Sequence, residues 1–280
     1  MMSLLTFTPI HWDIDPFVLP SFEFLRWYGL CWTLGIFVAY GIMRYIFQKE
    51  DRNVELLDPL AIYLLVGIII GARLVHVLFY DFAYFSEHPI EILPIRLEPS
   101  FQFTGFLGLA SHGGVIGALL GLYLFNRKYK EGYWFLLDRL TVAATPLAAF
   151  IRLGNLMNSE IIGHPTSVPW AFVFSRVDDL PRHPAQLYEA IFYLGAFALL
   201  FYLWRKPTYR SRPGWLFSLG LFLVFAQRFF VEFFKVDQAA VDGEWLLNTG
   251  QLLSIPMIVL GGIGLWYASR AKEPSSESPV

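Results

Sequence analysis

Arg152, Asn155, Asn158 and Glu160 sit close together at the end of an apolar run that begins near Phe135. Arg152 and Asn155 are three residues apart, so on a helix they share a face. A guanidinium fork beside amide donors suits a phosphate diester. Ionisable groups at membrane depth cost about 2.5–3.5 kcal/mol each at a helix centre, so they tend to mark binding or transport sites. The string therefore points to an anionic ligand held inside or at the edge of a bilayer. The plainer alternative is an Arg152–Glu160 ion pair tying a helix end to the loop after it.

Further polar groups recur in apolar surroundings. Arg228 and Glu232 stand at i and i+4, where they can pair on one helix face. Two charged clusters expected at the same depth fit a shared cavity better than two independent staples. His112, in Ser111-His112-Gly113-Gly114, opens another apolar run. A histidine can move protons near neutral pH, or simply hydrogen-bond within a packed interface. Gly113, Gly117 and Gly121 after it form a small-residue ridge that reads as helix packing. Tyr28, in Arg26-Trp27-Tyr28-Gly29, can anchor at a membrane interface or donate a hydrogen bond to a ligand oxygen. Arg73 follows Gly71-Ala72, with His76 one turn later, and Glu189 lies inside an apolar run and needs a partner. Asp138 and Arg139 read as structural or interfacial. Cys31, the single cysteine, reads as a packed, inert thiol.

The elements that must position these groups are membrane helices. The chain has 280 residues, 56% hydrophobic and only 16% charged, against about 25% charged in an ordinary soluble domain. Mean hydropathy is +0.50. About 20 residues cross the hydrocarbon, and seven apolar segments of that order occur: 24–46, 59–80, 104–125, 134–158, 185–204, 214–235 and 248–268. They are continuously apolar rather than alternating, which excludes a barrel. The expected fold is an all-α polytopic membrane protein, seven transmembrane helices with a small periplasmic head. One integral membrane domain covers 1–270, with the head mainly in 159–184 and 81–103 contributing, and 271–280 forms a disordered cytoplasmic tail.

One set of loops carries twelve basic residues (Arg44, Lys49, Arg52, Arg127, Lys128, Lys130, Arg205, Lys206, Arg210, Arg212, Arg270, Lys272) and the other three (Arg96, Arg176, Arg182). The positive-inside rule then puts the N-terminus outside and the C-terminus in the cytoplasm. Met1–Phe17 has no basic n-region, which argues against a cleaved signal peptide. A net charge of −2 gives no field that would attract nucleic acid. Zinc, P-loop and nucleophile-elbow motifs are absent from the sequence, and no metal cluster is evident in it.

Together these strings resemble the bacterial phosphatidylglycerol–prolipoprotein diacylglyceryl transferase family along nearly the whole chain. The most specific part is Arg152-Leu153-Gly154-Asn155-Leu156-Met157-Asn158-Ser159-Glu160-Ile161-Ile162-Gly163. Supporting strings are Arg26-Trp27-Tyr28-Gly29, Gly71-Ala72-Arg73, His112-Gly113-Gly114, Arg182-His183-Pro184-Ala185-Gln186-Leu187-Tyr188-Glu189, Arg228-Phe229-Phe230-Val231-Glu232 and Gly250-Gln251-Leu252-Leu253-Ser254-Ile255-Pro256-Met257. The resemblance implies a multi-pass enzyme of the bacterial inner membrane, with no metal or soluble cofactor expected. Its expected partners are phosphatidylglycerol, the signal peptides of preprolipoproteins with a lipobox cysteine, and membrane lipids. Its expected reaction moves the diacylglyceryl group to that cysteine and releases glycerol-1-phosphate.

Within that reading His112, Arg228 and Tyr28 are the expected catalytic residues. Arg152, Asn155, Glu160, Gly163, Glu232 and Arg73 are the expected substrate-binding residues. Arg152 and Arg228 would meet the phosphate, Glu160 and Glu232 would orient them, and His112 is the first candidate base. Arginine charge near the thiol is the alternative to a dedicated base. An anionic-lipid transporter or flippase and a non-catalytic membrane scaffold are the rival readings.

Overall fold

The computed structural model describes residues 8–19, 25–97, 100–104, 108–236 and 247–270. The expected tail 271–280 and most of the expected outer loop 236–247 lie outside them. The chain divides into two compact units, Phe47–Leu137 and Met1–Ile46 with Asp138–Val280.

In chain order the elements are β1 (Ile10–Trp12), α1 (Trp27–Lys49), α2 (Leu57–Phe79), α3 (Phe82–Glu87), β2 (Ile95–Arg96), β3 (Gln102–Phe103), α4 (Ser111–Tyr129), α5 (Tyr133–Met157), β4 (Phe172–Phe174), β5 (Pro181–Arg182), α6 (Ala185–Trp204), α7 (Pro207–Arg210), α8 (Trp215–Val231) and α9 (Thr249–Arg270). Among the described residues six helical segments are long and apolar enough to cross a membrane: α1, α2 with the turn before it, α5, α6, α8 with the turn after it, and α9. The third expected span is present as the 19-residue helix α4 but is not one of the six. Its four glycines and its Asn126-Arg127-Lys128 end dilute its hydropathy.

In the smaller unit α2 and α4 meet backbone to backbone. A Cβ on Gly117 would overlap the Gly67 carbonyl, one on Gly71 the Gly113 carbonyl, and one on Gly121 the Tyr63 carbonyl. Van der Waals contact between helices, not burial from water, is what such an interface gains in a bilayer. The α2–α4 connection is tied down by Arg73, which is buried. Its Nε donates to the Ile92 carbonyl at 2.9 Å, Nη1 to the Gly108 carbonyl at 3.2 Å and Nη2 to the Glu91 carbonyl. His76 pairs with Asp81 at 3.0 Å. A second staple joins Arg96 to Glu91 through two parallel bonds of 2.8 Å, with the Tyr84 hydroxyl donating to the same carboxylate at 2.7 Å. Arg96 first, then Tyr84, holds the Glu91 carboxyl down to about 2. These groups line a cavity of about 560 Å³.

In the larger unit α8 packs against both α6 and α9. Asp138 of α5, fully buried, accepts the backbone N–H groups of Gly214 and Phe217 at 2.8 Å each. It thus satisfies the orphan donors at the start of α8 from a neighbouring helix. At the other ends of the helices lies a small sheet of order β1-β4-β5, with β1 parallel to β4 and β4 antiparallel to β5. The antiparallel pair β4–β5 lies within the expected head segment 159–184, and its strands, like the N-terminal strand β1, are an addition to the all-α expectation. Phe172, Phe174 and Leu156 are its buried centre, with Trp12, Ile162 and Leu187 against it. Trp12 Nε1 also donates to the Leu156 carbonyl at 2.9 Å, fixing the sheet on the end of α5.

Gly117→Ala should destabilise the protein by about 1–3 kcal/mol, the usual cost of overpacking. Gly195→Ala, where a Cβ meets nothing within 4 Å, should be tolerated; thermal unfolding in detergent compares the two. Equal stability of both variants would contradict the close approach of α2 and α4. A carboxyl depressed to about 2 stabilises the fold above its unfolded value of roughly 4.3 and loses that contribution as pH falls toward 2. Glu91→Gln should therefore lower the unfolding temperature at pH 7, and the gap to the unsubstituted protein should close below about pH 4. A gap that is constant between pH 7 and pH 3 would refute the staple.

Candidate active site

Helix ends of the larger unit supply the charged groups. α5 ends at Met157, so Arg152 and Asn155 lie in its last turns. Asn158, Ser159 and Glu160 follow in a tight turn whose Ser159 and Ile161 have φ of 55° and 59°. Left-handed backbone at a β-branched residue is rare and costs on the order of 1–3 kcal/mol. The turn leaves Glu160 exposed between the two, where its carboxylate accepts from Asn158 Nδ2 at 3.1 Å and Asn155 Nδ2 at 3.3 Å. Gln186 Nε2 holds the Glu160 carbonyl from α6.

Arg152 does not pair with Glu160. Its Nε lies 3.1 Å from Glu189 Oε2, and its Nη1 reaches Asn155 Oδ1 at 3.3 Å. Glu189, fully buried in α6, also takes Lys235 Nζ on Oε1 at 3.0 Å. Lys235 continues to Glu232 Oε1 at 3.4 Å, and Glu232 Oε2 accepts from Asn248 Nδ2 at 3.4 Å. Cations and carboxylates thus alternate as Arg152, Glu189, Lys235, Glu232. Mutual compensation is what makes such charges tolerable away from water; breaking one partner from a buried pair costs about 3–5 kcal/mol.

The expected orienting roles of Glu160 and Glu232 are corrected here. The left-handed turn puts Glu160 against asparagines rather than Arg152. Glu232 keeps the helical i, i+4 register with Arg228, its backbone N–H bonding the Arg228 carbonyl, but its carboxylate is taken up by Lys235 and Asn248 instead. Among the described residues Arg228 makes no ion pair or hydrogen bond, although it is only partly exposed. Tyr193, one turn after Glu189, has its hydroxyl beside the Arg152 guanidinium and within the electrostatic reach of Arg228. It is 6% exposed.

Tyr28 packs on α5 at Gly154, where a Cβ would come within 2.9 Å of its ring; Cys31 packs at the same glycine. Gly163 sits where three backbone segments converge. Its N–H donates to the His183 carbonyl at 3.0 Å, its carbonyl accepts from Arg182 Nη1 at 3.2 Å, and it bridges Lys235. A Cβ would press on both the His183 and Phe234 carbonyls. Arg182 is fixed in turn by Asp178, whose carboxyl it lowers, while its own guanidinium is raised. Burial, then the nearby His164, pushes the His183 imidazole down. Gly163 therefore joins the sheet to the end of α8 through its backbone.

Two expected residues belong to the smaller unit. His112 lies in the first turn of α4 with its side chain exposed. Arg73 spends its guanidinium on loop carbonyls, the geometry of a residue that holds a loop. Glu189, Lys235 and Tyr193 were not among the expected site residues. A carboxylate at position 189 inside an apolar run is the signal that could have found the first.

Six helices long and apolar enough to cross a membrane, with a row of compensating charges at their ends and a few short strands beside it, define among the described residues a polytopic membrane protein. Residues 17–267 match the family model described as prolipoprotein diacylglyceryl transferase. The chain is 44% identical over 267 residues to the phosphatidylglycerol–prolipoprotein diacylglyceryl transferase of Bacteroides fragilis, covering 94% of this chain and 96% of that one. It is 43% identical over 265 residues to the enzyme of that name from Tolumonas auensis, covering 94% and 99%. For the one from Chloroherpeton thalassium the identity is 42% over 255 residues, with 90% and 91% covered. The chain belongs to the prolipoprotein diacylglyceryl transferase family.

Proposed function

We propose that this protein moves the diacylglyceryl group of phosphatidylglycerol onto the lipobox cysteine thiol of a preprolipoprotein, the first step of bacterial lipoprotein maturation. The sulfur forms a C–S bond to the glyceryl carbon, the C–O bond to phosphate breaks, and glycerol-1-phosphate leaves with the electron pair. The thiol proton goes to a base. The reaction balances without a cofactor. The observation that carries this reading in a member of this family is Arg152, held at the end of α5 by Glu189 at 3.1 Å and Asn155 at 3.3 Å. A transporter reading has no observation in its favour.

In this reading the phosphate meets Arg152 and Arg228, whose preorganised charge stabilises the negative charge that grows as the C–O bond breaks. Asn155 and Tyr28 add neutral donors, and Glu160 faces the polar head group. Glu232 balances Lys235, Gly163 fixes the cap that borders the site, and Arg73 holds the 81–103 segment in shape. A free thiol has a pKa near 8.5 and must be deprotonated to attack; His112 takes that proton. Acyl chains enter sideways between the helices, which keeps them out of water. The protein is a single integral domain over 1–270, with α4 as the seventh span, the head outside, the N-terminus in the periplasm and the 271–280 tail in the cytoplasm. Its site is the bacterial inner membrane.

Purified protein with phosphatidylglycerol and a lipobox peptide should give a thioether-modified peptide by mass spectrometry and an equal amount of glycerol phosphate. Arg152→Ala should abolish transfer in folded protein. Arg228→Lys should lower it by about 10²-fold or more, because an ammonium does not reproduce the guanidinium fork. His112→Gln should lower kcat by about 10²-fold, the range of general-base catalysis, with little change in KM for the lipid. An unmodified peptide refutes the function, and a fully active Arg152→Ala refutes the assigned site.

A further inference from the structure

We propose that Glu189 is the positioning residue for Arg152: one buried carboxylate, shared with Lys235, holds the guanidinium by its Nε and leaves the terminal nitrogens to a lipid phosphate. The inference rests on the reading of Arg152 as a phosphate ligand.

Among the described residues of the larger unit the two fully buried carboxylates, Asp138 and Glu189, are used differently. Asp138 spends both oxygens on backbone N–H groups of one helix start, a purely structural arrangement. Glu189 spends both oxygens on side-chain cations from two other elements, Arg152 of α5 and Lys235 after α8. The two contacts are unequal. Oε1 accepts an aligned hydrogen bond from Lys235 at 3.0 Å, whereas Oε2, 3.1 Å from Arg152 Nε, accepts no aligned hydrogen bond. Lys235 therefore anchors the carboxylate, and the carboxylate attracts the guanidinium without locking it.

A guanidinium has five donors. Glu189 comes closest on the Nε side and takes no hydrogen bond from the terminal nitrogens among the described residues. Nη1 has an amide oxygen at 3.3 Å, and the Tyr193 phenol also stands beside the group. An arginine gripped by a bidentate carboxylate would have to break that grip to take a phosphate. Sharing Glu189 with Lys235 weakens the competing pair while keeping the charge aimed. Lys235 is 3% exposed and also leans on Glu232, so the anchor does not move with solvent.

Three variants of the full chain, reconstituted in lipid, test this: Glu189→Gln, the charge-balanced Glu189→Gln with Lys235→Met, and Glu189→Asp. Thermal stability, kcat and KM for phosphatidylglycerol are measured on each. The charge-balanced variant should regain the stability that Glu189→Gln loses, yet keep kcat/KM about 100-fold down, the loss that a misplaced charge-stabilising group gives. Glu189→Asp keeps the charge but draws it back by one methylene; it should stay folded with KM raised by about tenfold or more. Recovery of at least half the unsubstituted kcat/KM by the charge-balanced variant overturns the proposal, because Glu189 would then only neutralise Lys235. If that variant does not fold, an unchanged KM in Glu189→Asp overturns it equally. A failure of the unsubstituted protein to make the thioether would instead strike the functional reading, before Glu189 enters.

Discussion

A carboxylate with no access to water must be answered by hydrogen-bond donors or by positive charge, and Glu189 is answered by two cations. That requirement draws α5, α6 and the end of α8 to one place, because Arg152, Glu189 and Lys235 come from those three elements. The alternating row of charges is close to neutral as a whole, which is what makes it tolerable in a low-dielectric setting. Arg228 stands outside the row with no carboxylate of its own among the described residues.

The rest of the larger unit serves to keep those helix ends in register. Asp138 fixes the start of α8 onto α5 at one end of the helices. At the other, Trp12 binds the last turn of α5, and Gly163 lets the β5 region and the end of α8 close around one backbone point. The smaller unit uses a different device. Its helices touch through glycines, and its loop is gathered by Arg73 and by the Glu91–Arg96–Tyr84 staple.

Much of this was legible in the residue order. Hydropathy and length located the helices, and the cost of intramembrane charge singled out Arg152 and Arg228. The spacing Gly113, Gly117, Gly121 announced a close helix contact. What was not legible depends on partners far apart in the chain. Nothing local ties position 152 to 189 or 189 to 235, so the carboxylates nearest in sequence, Glu160 and Glu232, were matched to the arginines instead. Left-handed backbone at Ser159 and Ile161 removed the first pairing, and Lys235 with Asn248, which take up the Glu232 carboxylate, removed the second. Neither residue type advertises that conformation. β1 was equally hidden, since three residues of strand take their meaning only from β4 beside them. The glycines that announce packing in α4 are the same ones that keep it outside the set of six apolar spans.

The most direct measurement is an experimental structure of the protein with phosphatidylglycerol bound in a lipid nanodisc. The lipid phosphate should lie within hydrogen-bond distance of both Arg152 and Arg228, with Glu189 still against Arg152 Nε. A phosphate held elsewhere, with the two guanidiniums facing away from it, would contradict the account.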